Sequence, residues 1–315
     1  MRGMVLEEII YEANLNENVQ LNETYKILST ISSSDLSIVY LAQVIESGER
    51  VVIKEFYPKA LVIRDLDGKT LVCGYSTNKK KLNTLKQSFL EEVHFLKILI
   101  HPNIIKYIDH FEENETIYLV MEYCEGYTLE NYRQQDSFQI SAFLKEVYLP
   151  LINTLDYVHN QGIIHRDLKP KNIIIDKNGT LKMIDFGSAA YIETNSDRKI
   201  FTTKGYSPIE FYSNQSKQGT YSDIYSMAAI FYYILKGKPP ADAPSRVIED
   251  SLEPLGSKDY SISPWLLKKI MKSLSLQAAE RPNSIASFTP LIKLEYILIK
   301  LKNKIQKVEK KPDYQ

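Results

Sequence analysis

His165-Arg166-Asp167-Leu168-Lys169-Pro170-Lys171-Asn172 is the stretch on which the reading of this chain turns, and Asp185-Phe186-Gly187 begins thirteen residues after Asn172. Acid, lysine, amide and second acid follow in a fixed order that rarely arises by chance. The ground on either side differs in kind. Just before it, residues 140–161 carry Phe143, Leu144, Val147, Leu151, Leu155 and Val158 at helical spacing. After it, residues 222–236, 264–276 and 284–301 also read as helices, and Pro264 stands after Ser263 at a tolerated first-turn position.

Further towards the N-terminus the pattern is strand-like. Tyr25-Lys26-Ile27-Leu28, Ser37-Ile38-Val39-Tyr40-Leu41 and Arg50-Val51-Val52-Ile53-Lys54 are short β-prone runs, the last two joined by a turn at Gly48. Residues 60–64 and 70–73 flank Asp67-Gly68 and read as a hairpin. Residues 84–99 switch to helical spacing through Leu85, Phe89, Val93, Leu96 and Leu99, and His101-Pro102-Asn103 ends that helix. Strands are expected at 104–111 and 116–122. The pattern predicts an α+β fold with a small β-rich N-lobe, a larger helical C-lobe, a junction near 122–126 and a cleft between the lobes.

Bulk properties narrow the classes. The chain has 315 residues, with 39 Lys plus Arg against 39 Asp plus Glu, so no global field recruits nucleic acid. Cys73 and Cys124 are far apart and lack a metal-ligand spacing, which points to a reducing compartment and a cytoplasmic protein, with non-classical secretion into a host cell as the alternative. The N-terminus lacks the long apolar stretch of a signal peptide. The run Met227 to Leu235 is too short to span a bilayer and reads as a buried helix.

The ordered residues name a chemistry. Asp167 would orient an attacking hydroxyl and accept its proton, Lys169 would neutralise charge on a phosphoryl group in flight, and Asn172 and Asp185 would hold Mg²⁺ on nucleotide phosphates. At these residues the chain resembles the eukaryotic-type Ser/Thr protein kinases. The resemblance covers about residues 21–290. It implies a protein kinase-like fold, ATP with Mg²⁺ or Mn²⁺, and transfer of the γ-phosphoryl group to protein hydroxyls, including the chain's own. It also implies the remaining roles. Lys54 in Val51-Val52-Ile53-Lys54 would bind the α/β-phosphates, held by Glu92, the register favouring Glu92 over Glu91. Tyr118 to Cys124 would be the hinge, with Met121 behind the adenine and the backbones of Glu122 and Cys124 along its edge. Val39, Val52 and Ile174 complete the nucleotide-binding set. Glu210 would pair with Arg281, Asp223 would brace the catalytic loop, His165 would pack beneath Phe186, and Thr203 would hydrogen-bond Asp167. The other histidines read as helix-surface or strand-end residues.

Two departures stand out. Where the family has Gly-x-Gly-x-x-Gly-x-Val, this chain has Ser32-Ser33-Ser34-Asp35-Leu36-Ser37-Ile38-Val39, so Ser32, Ser34 and Ser37 replace all three glycines. Serine adds a Cβ and strain at positions suited to positive φ, and Asp35 sets a negative charge near the phosphates. That loop motivates the competing reading, a pseudokinase or nucleotide-gated binding module. Against it stand the six retained residues Lys54, Glu92, Asp167, Lys169, Asn172 and Asp185. The second departure is the hairpin between Lys54 and Glu92. With Lys54-Glu55-Phe56-Tyr57-Pro58 it resembles a bacterial subgroup of these kinases.

The domain reading is a leader at 1–24 with an apolar patch at Leu6, Ile9 and Ile10, an N-lobe and hinge at 25–124, a C-lobe at 125–290 and a basic tail at 291–315. In the tail Leu291, Leu294, Leu298, Leu301, Ile305 and Val308 fall on heptad a/d positions, and residues 291–311 hold seven lysines and two glutamates. Three readings fit it: packing on the C-lobe, a homodimer, or contact with an anionic membrane. The protein substrate is left open. In residues 188–209, Thr194, Ser196 and Thr202 are candidate phosphate acceptors, and Asp197 is a built-in charge for Arg166.

Overall fold

The computed structural model describes residues 13–135, 138–193, 200–256 and 262–309, with the side chains of Ser76 and of residues 305–309 outside that description. The leader patch Leu6, Ile9 and Ile10, the segment with Thr194, Ser196 and Asp197, and the side chains of Ile305 and Val308 therefore lie outside the described residues. The architecture is α+β. The chain divides into two compact units, Met1–Ile98 with Ile105–Tyr123, and Leu99–Ile104 with Cys124–Gln315.

The first unit is built on a six-stranded antiparallel sheet in the order β1 (Gln20–Leu21), β2 (Tyr25–Ser33), β3 (Ser37–Val44), β4 (Arg50–Phe56), β8 (Thr116–Glu122), β7 (Tyr107–Glu113). The period-2 alternation of β4 divides its residues between two environments. Val51, Ile53 and Glu55 point one way and are buried. Val52 and Lys54 point the other way and are half-buried. Register carries this across the sheet. Ile38, Glu55 and Tyr118 are opposed, as are Tyr40, Ile53 and Val120, and these side chains share the core face.

The expected hairpin is β5 (Val62–Arg64) with β6 (Leu71–Cys73). Gly68 takes φ +70° at its turn, and Asp67 Oδ1 accepts the backbone N–H groups of Lys69 and Thr70, each at 2.8 Å. The hairpin is fastened by one side chain. Arg64 donates to Glu55 Oε1 at 3.1 Å, to Glu55 Oε2 at 2.7 Å, to the Lys69 carbonyl at 2.7 Å and, through Nε, to the Ala13 carbonyl at 2.8 Å. The hydroxyls of Tyr40 and Tyr118 donate to the same carboxylate, at 2.8 and 3.1 Å. Glu55 is 0% and Arg64 2% exposed, so this is a fully buried ion pair with its lone pairs filled. Burial alone would lower the Arg64 guanidinium, but the Glu55 hydrogen bonds and charge hold it above its ordinary value. Helix α1 (Lys79–Ile98) starts earlier than its apolar spacing suggested, because its first turn is exposed lysines. It packs on the sheet unit through Phe89, Val93 and Leu96, with Phe89 5.6 Å from the Phe56 ring.

The second unit includes residues 99–104. Asn103 ties them in, donating through Nδ2 to the Leu181 carbonyl at 2.9 Å and accepting the Met183 N–H at 2.8 Å. Ile104, expected to open a strand, instead bridges to Met183, and the strand begins at Tyr107. Two small sheets, β12 (Leu181–Met183)–β11 (Ile173–Asp176)–β9 (Gly126–Thr128) and β10 (Ile163–Ile164)–β13 (Ala190–Tyr191), accompany the helices. These are α2 (Leu129–Arg133), α3 (residues 140–160, π-helical over Phe143–Tyr148), α4 (Thr220–Lys236), α5 (Ala243–Ile248), α6 (Pro264–Ser273) and α7 (Thr289–Glu309). Ser222 to Ile234 of α4 are all buried, which explains its apolar run, and Gly237 ends it at φ +74°. No helix among the described residues is long and apolar enough to cross a membrane.

The tail helix buries a different stripe from its a/d positions. α7 packs on its unit through Ile292, Glu295 and Ile299, whereas Leu294 and Leu301 of the a/d stripe are 46% and 51% exposed. Glu295 explains the shift. Its carboxylate accepts the Ser263 N–H at 3.0 Å inside the unit, so a polar residue stands on the inward face beside Ile292 and Ile299.

Candidate active site

In the first unit Lys54 and Glu92 form an ion pair, with Lys54 Nζ donating to the two carboxylate oxygens at 2.7 and 2.8 Å. Glu92 is 3% exposed and faces the sheet, while Glu91 faces solvent. The register of β3, β4 and β8 puts Val39 opposite Lys54, and Val52 opposite Met121, so these four side chains share one face. An apolar floor with a single fixed ammonium suits a ligand that is apolar at one end and anionic at the other. Glu92→Gln is expected to lower kcat/KM about 10–100-fold, the worth of about 1.5–3 kcal/mol of charge-assisted hydrogen bonding. Glu91→Gln is expected to leave steady-state rates unchanged. Equal losses in the two variants would show that the pair does not matter.

The serine loop differs from its expectation. None of residues 32–37 takes a positive φ, so the serines carry no left-handed strain. Instead Ser34 closes the turn on itself. Its hydroxyl accepts the N–H groups of Leu36 at 3.3 Å and Ser37 at 3.1 Å, and lies 3.1 Å from Ser37 Oγ. Ser32, Ser34 and Asp35 are exposed, and Ser37 is buried. Backbone donors of the kind that cradle phosphates are thus occupied by a side chain. Ser34→Gly frees two of them, and calorimetry should find Mg-ATP bound about fivefold more tightly, near 1 kcal/mol. Weaker binding would mean that the hydroxyl itself is a ligand contact.

In the second unit the residues of the opening stretch converge on one carboxylate. Lys169 Nζ donates to Asp167 Oδ2 at 2.6 Å, and Thr203 Oγ1 donates to Oδ1 at 2.8 Å. Asn172 Nδ2 donates to Asp167 Oδ2 at 3.0 Å and to its backbone carbonyl at 2.9 Å. Lys169 also reaches Thr203 Oγ1 at 3.3 Å. Asp185 follows β12, and its Oδ1 accepts the Gly187 N–H at 3.0 Å. The neighbouring Ile184 N–H donates to the Asn172 carbonyl at 3.1 Å, which sets Asp185 beside Asn172. Asn172 and Asp185 offer an amide oxygen and a carboxylate. That hard-oxygen pair fits a divalent cation that completes its shell with water and phosphate.

Asp223 braces this loop from the buried α4. Its oxygens accept the N–H groups of His165 at 2.8 Å and Arg166 at 2.9 Å. Arg166 has φ +69°, a left-handed backbone that costs a non-glycine residue about 1–3 kcal/mol and persists only where its surroundings enforce it. Burial pushes the Asp223 carboxyl up, but its hydrogen bonds to His159 and His165 hold it below the usual carboxylate range. His165 lies 4.8 Å from the Phe186 ring, and burial lowers its imidazole pKa. His159 corrects the surface assignment made from spacing. It bonds Asp223 Oδ2 at 2.9 Å through Nε2 and is 6% exposed. Glu210 meets Arg281 at 2.7 and 3.1 Å, with Ser222 also donating to it. Gly205 beside the Thr203 turn takes φ +81°, and a Cβ there would stand 2.7 Å from the Pro240 carbonyl.

The remaining site residues fall where their elements carry them. Met121 is buried in β8, and Glu122 accepts the Lys106 N–H through Oε1 at 2.8 Å. Cys124 opens the longer segment of the second unit and is half-buried. Ile174 lies on β11 between Thr128 and Lys182. Arg166 Nη1 donates to the Ser188 carbonyl at 3.2 Å. The Glu55–Arg64 pair was missed in the sequence. Its signal was a charged residue at an inward strand position.

Comparison with known proteins supplies the frame. The family model described as "Protein kinase domain" matches residues 25–289. Mouse (Mus musculus) sperm motility kinase 3A is 29% identical over 263 residues, covering 83% of this chain and 47% of its own length. CBL-interacting serine/threonine-protein kinase 2 of Arabidopsis thaliana is 26% identical over 263 residues, covering 82% of this chain and 53% of its own length. The chain thus spans about half the length of the curated relatives it matches. The solved structure "PpkA-294 apo form" superimposes with a TM-score of 0.75 at 27% identity, covering 89% of this chain and all of that one.

Proposed function

This chain belongs to the protein kinase domain family, matched over residues 25–289, and from that premise we propose that it transfers the γ-phosphoryl group of Mg-ATP to serine or threonine hydroxyls, its own among them. Kinase function in general, and the use of ATP with a divalent metal, follow from the family. Residue roles and acceptor are our reading. The observation that carries it is the Asp167 carboxylate, which holds Lys169, Thr203 and Asn172 around itself within 3.0 Å.

A carboxylate so placed orients an acceptor hydroxyl and takes its proton as the phosphoryl group leaves ATP. Lys169 stabilises the charge that develops on the transferred group. Thr203 fixes the rotamer of Asp167, and Asn172 secures the loop from the other side. Lys54, held by Glu92, binds the α/β-phosphates. A divalent metal on Asn172 and Asp185 would neutralise charge on the nucleotide phosphates. Lys169 supports Ser/Thr over Tyr acceptors.

The self-closed Ser34 turn favours a second reading, a nucleotide-gated binding module without transfer. Radiolabelled ATP separates the cases. Incubation with γ-labelled ATP and Mg²⁺, followed by acid hydrolysis, is expected to give phosphoserine or phosphothreonine. Label from α-labelled ATP would indicate nucleotidyl transfer instead, and phosphotyrosine alone would refute the acceptor class.

A further inference from the structure

α7 has two apolar faces. Ile292, Glu295 and Ile299 are turned into the unit. At about 100° per residue, Leu294, Ile297 and Leu301 lie on the opposite side, and they are 46%, 51% and 51% exposed. Lys293, Lys300 and Lys304 form a row along one edge of that stripe, all exposed, and Lys302 is exposed on the other flank. A helix that has already spent one face on its own unit has no folding reason for a second apolar stripe edged with lysine.

Charge selects the occupant. A second copy docking through this stripe would bring lysine-edged surfaces together. Among described side chains of α7 the only acid, Glu295, is 0% exposed and faces the unit, so the described stripe offers no carboxylate to pair across such a dimer. An anionic lipid surface answers both features. Its headgroups attract the lysine row, and the headgroup–acyl boundary takes up the leucine and isoleucine side chains lying flat on it.

We propose that α7 is a peripheral docking helix for anionic bilayers, with Leu294, Ile297 and Leu301 as the inserted stripe and Lys293, Lys300 and Lys304 as the headgroup contacts. This surface is separate from the residues assigned to phosphoryl transfer, so it places the enzyme at a membrane without altering its chemistry.

The test is sedimentation of the full chain with vesicles of phosphatidylcholine alone or mixed with phosphatidylserine. The wild type is expected to pellet only with the mixed vesicles and to be released at high salt. Lys293→Gln/Lys300→Gln/Lys304→Gln should weaken partitioning about a hundredfold, the combined worth of three lysines near an anionic surface. Leu294→Gln/Ile297→Gln/Leu301→Gln should abolish it. Both variants alter exposed positions, so self-labelling and melting should match the wild type. Should either variant melt early, the wild-type salt titration decides alone. The proposal is overturned if the wild type stays in the supernatant, if pelleting is indifferent to salt and phosphatidylserine, or if well-folded variants pellet as the wild type does. A dimer in light scattering that the apolar variant dissociates would also overturn it, in favour of a second copy.

Discussion

Arg64→Met is expected to destabilise the first unit by about 3–5 kcal/mol, because it strands a carboxylate that is fully buried. Arg64 supplies Glu55 with two charge-assisted bonds and ties the Lys69 and Ala13 carbonyls to the same point. Without it, Glu55 keeps only the Tyr40 and Tyr118 hydroxyls, and a bare anion in that core must be protonated or hydrated. A loss of that size is a large part of the about 5–15 kcal/mol that ordinarily holds a domain together, and thermal melting should fall by roughly 10–20 °C. The mechanism makes a second demand. Glu55→Gln in the Arg64→Met background removes the stranded charge while keeping an acceptor for the tyrosines, so it should recover most of the loss. If the double variant melts no higher than Arg64→Met, the deficit comes from lost packing of the hairpin and not from the buried charge.

The largest effect on chemistry is expected at Asp185. Asp185→Ala removes the one carboxylate in the proposed metal pair, and the Asn172 amide alone is a weak ligand for a hard dication. Transfer should fall by roughly three orders of magnitude or more, since the proposed mechanism works mostly by positioning and electrostatics. Asp185 is half-buried just after a short strand, outside the buried core of its unit, so the melting temperature should hold. Full transfer by Asp185→Ala would remove this residue from the mechanism.

How far these features could be read in advance depended on where each residue's partner lay. The hairpin around Asp67-Gly68 was legible because turn chemistry is local. Glu92 was separable from Glu91 because one helical step turns a side chain by about 100°. Asp167, Lys169 and Asn172 stood out because they lie close together in sequence, and the fold brings their side chains onto one carboxylate. Glu55 was harder, since its partner Arg64 comes from an insertion and nothing in a strand pattern names a distant guanidinium. His159 looked like one more helix position until α4 brought Asp223 against it. The tail misled for a different reason. Leucine spacing marks apolar stripes but not which of two stripes a helix buries, and a polar residue, Glu295, took the inward place. The loop serines stand where glycine spacing suggests strain, whereas Ser34 uses its hydroxyl to hold a turn without positive φ.

The central claim is that a chain with serines in its nucleotide loop still catalyses transfer through Asp167. The most direct measurement is the stoichiometry of γ-label incorporated into the purified wild type and into Asp167→Asn, under saturating Mg-ATP, with melting curves for both. The account expects time-dependent labelling of the wild type and loss of almost all of it in Asp167→Asn at an unchanged melting temperature. A wild type that binds Mg-ATP yet transfers nothing, to itself or to a general protein acceptor, would contradict the account and leave the nucleotide-gated binding module in its place.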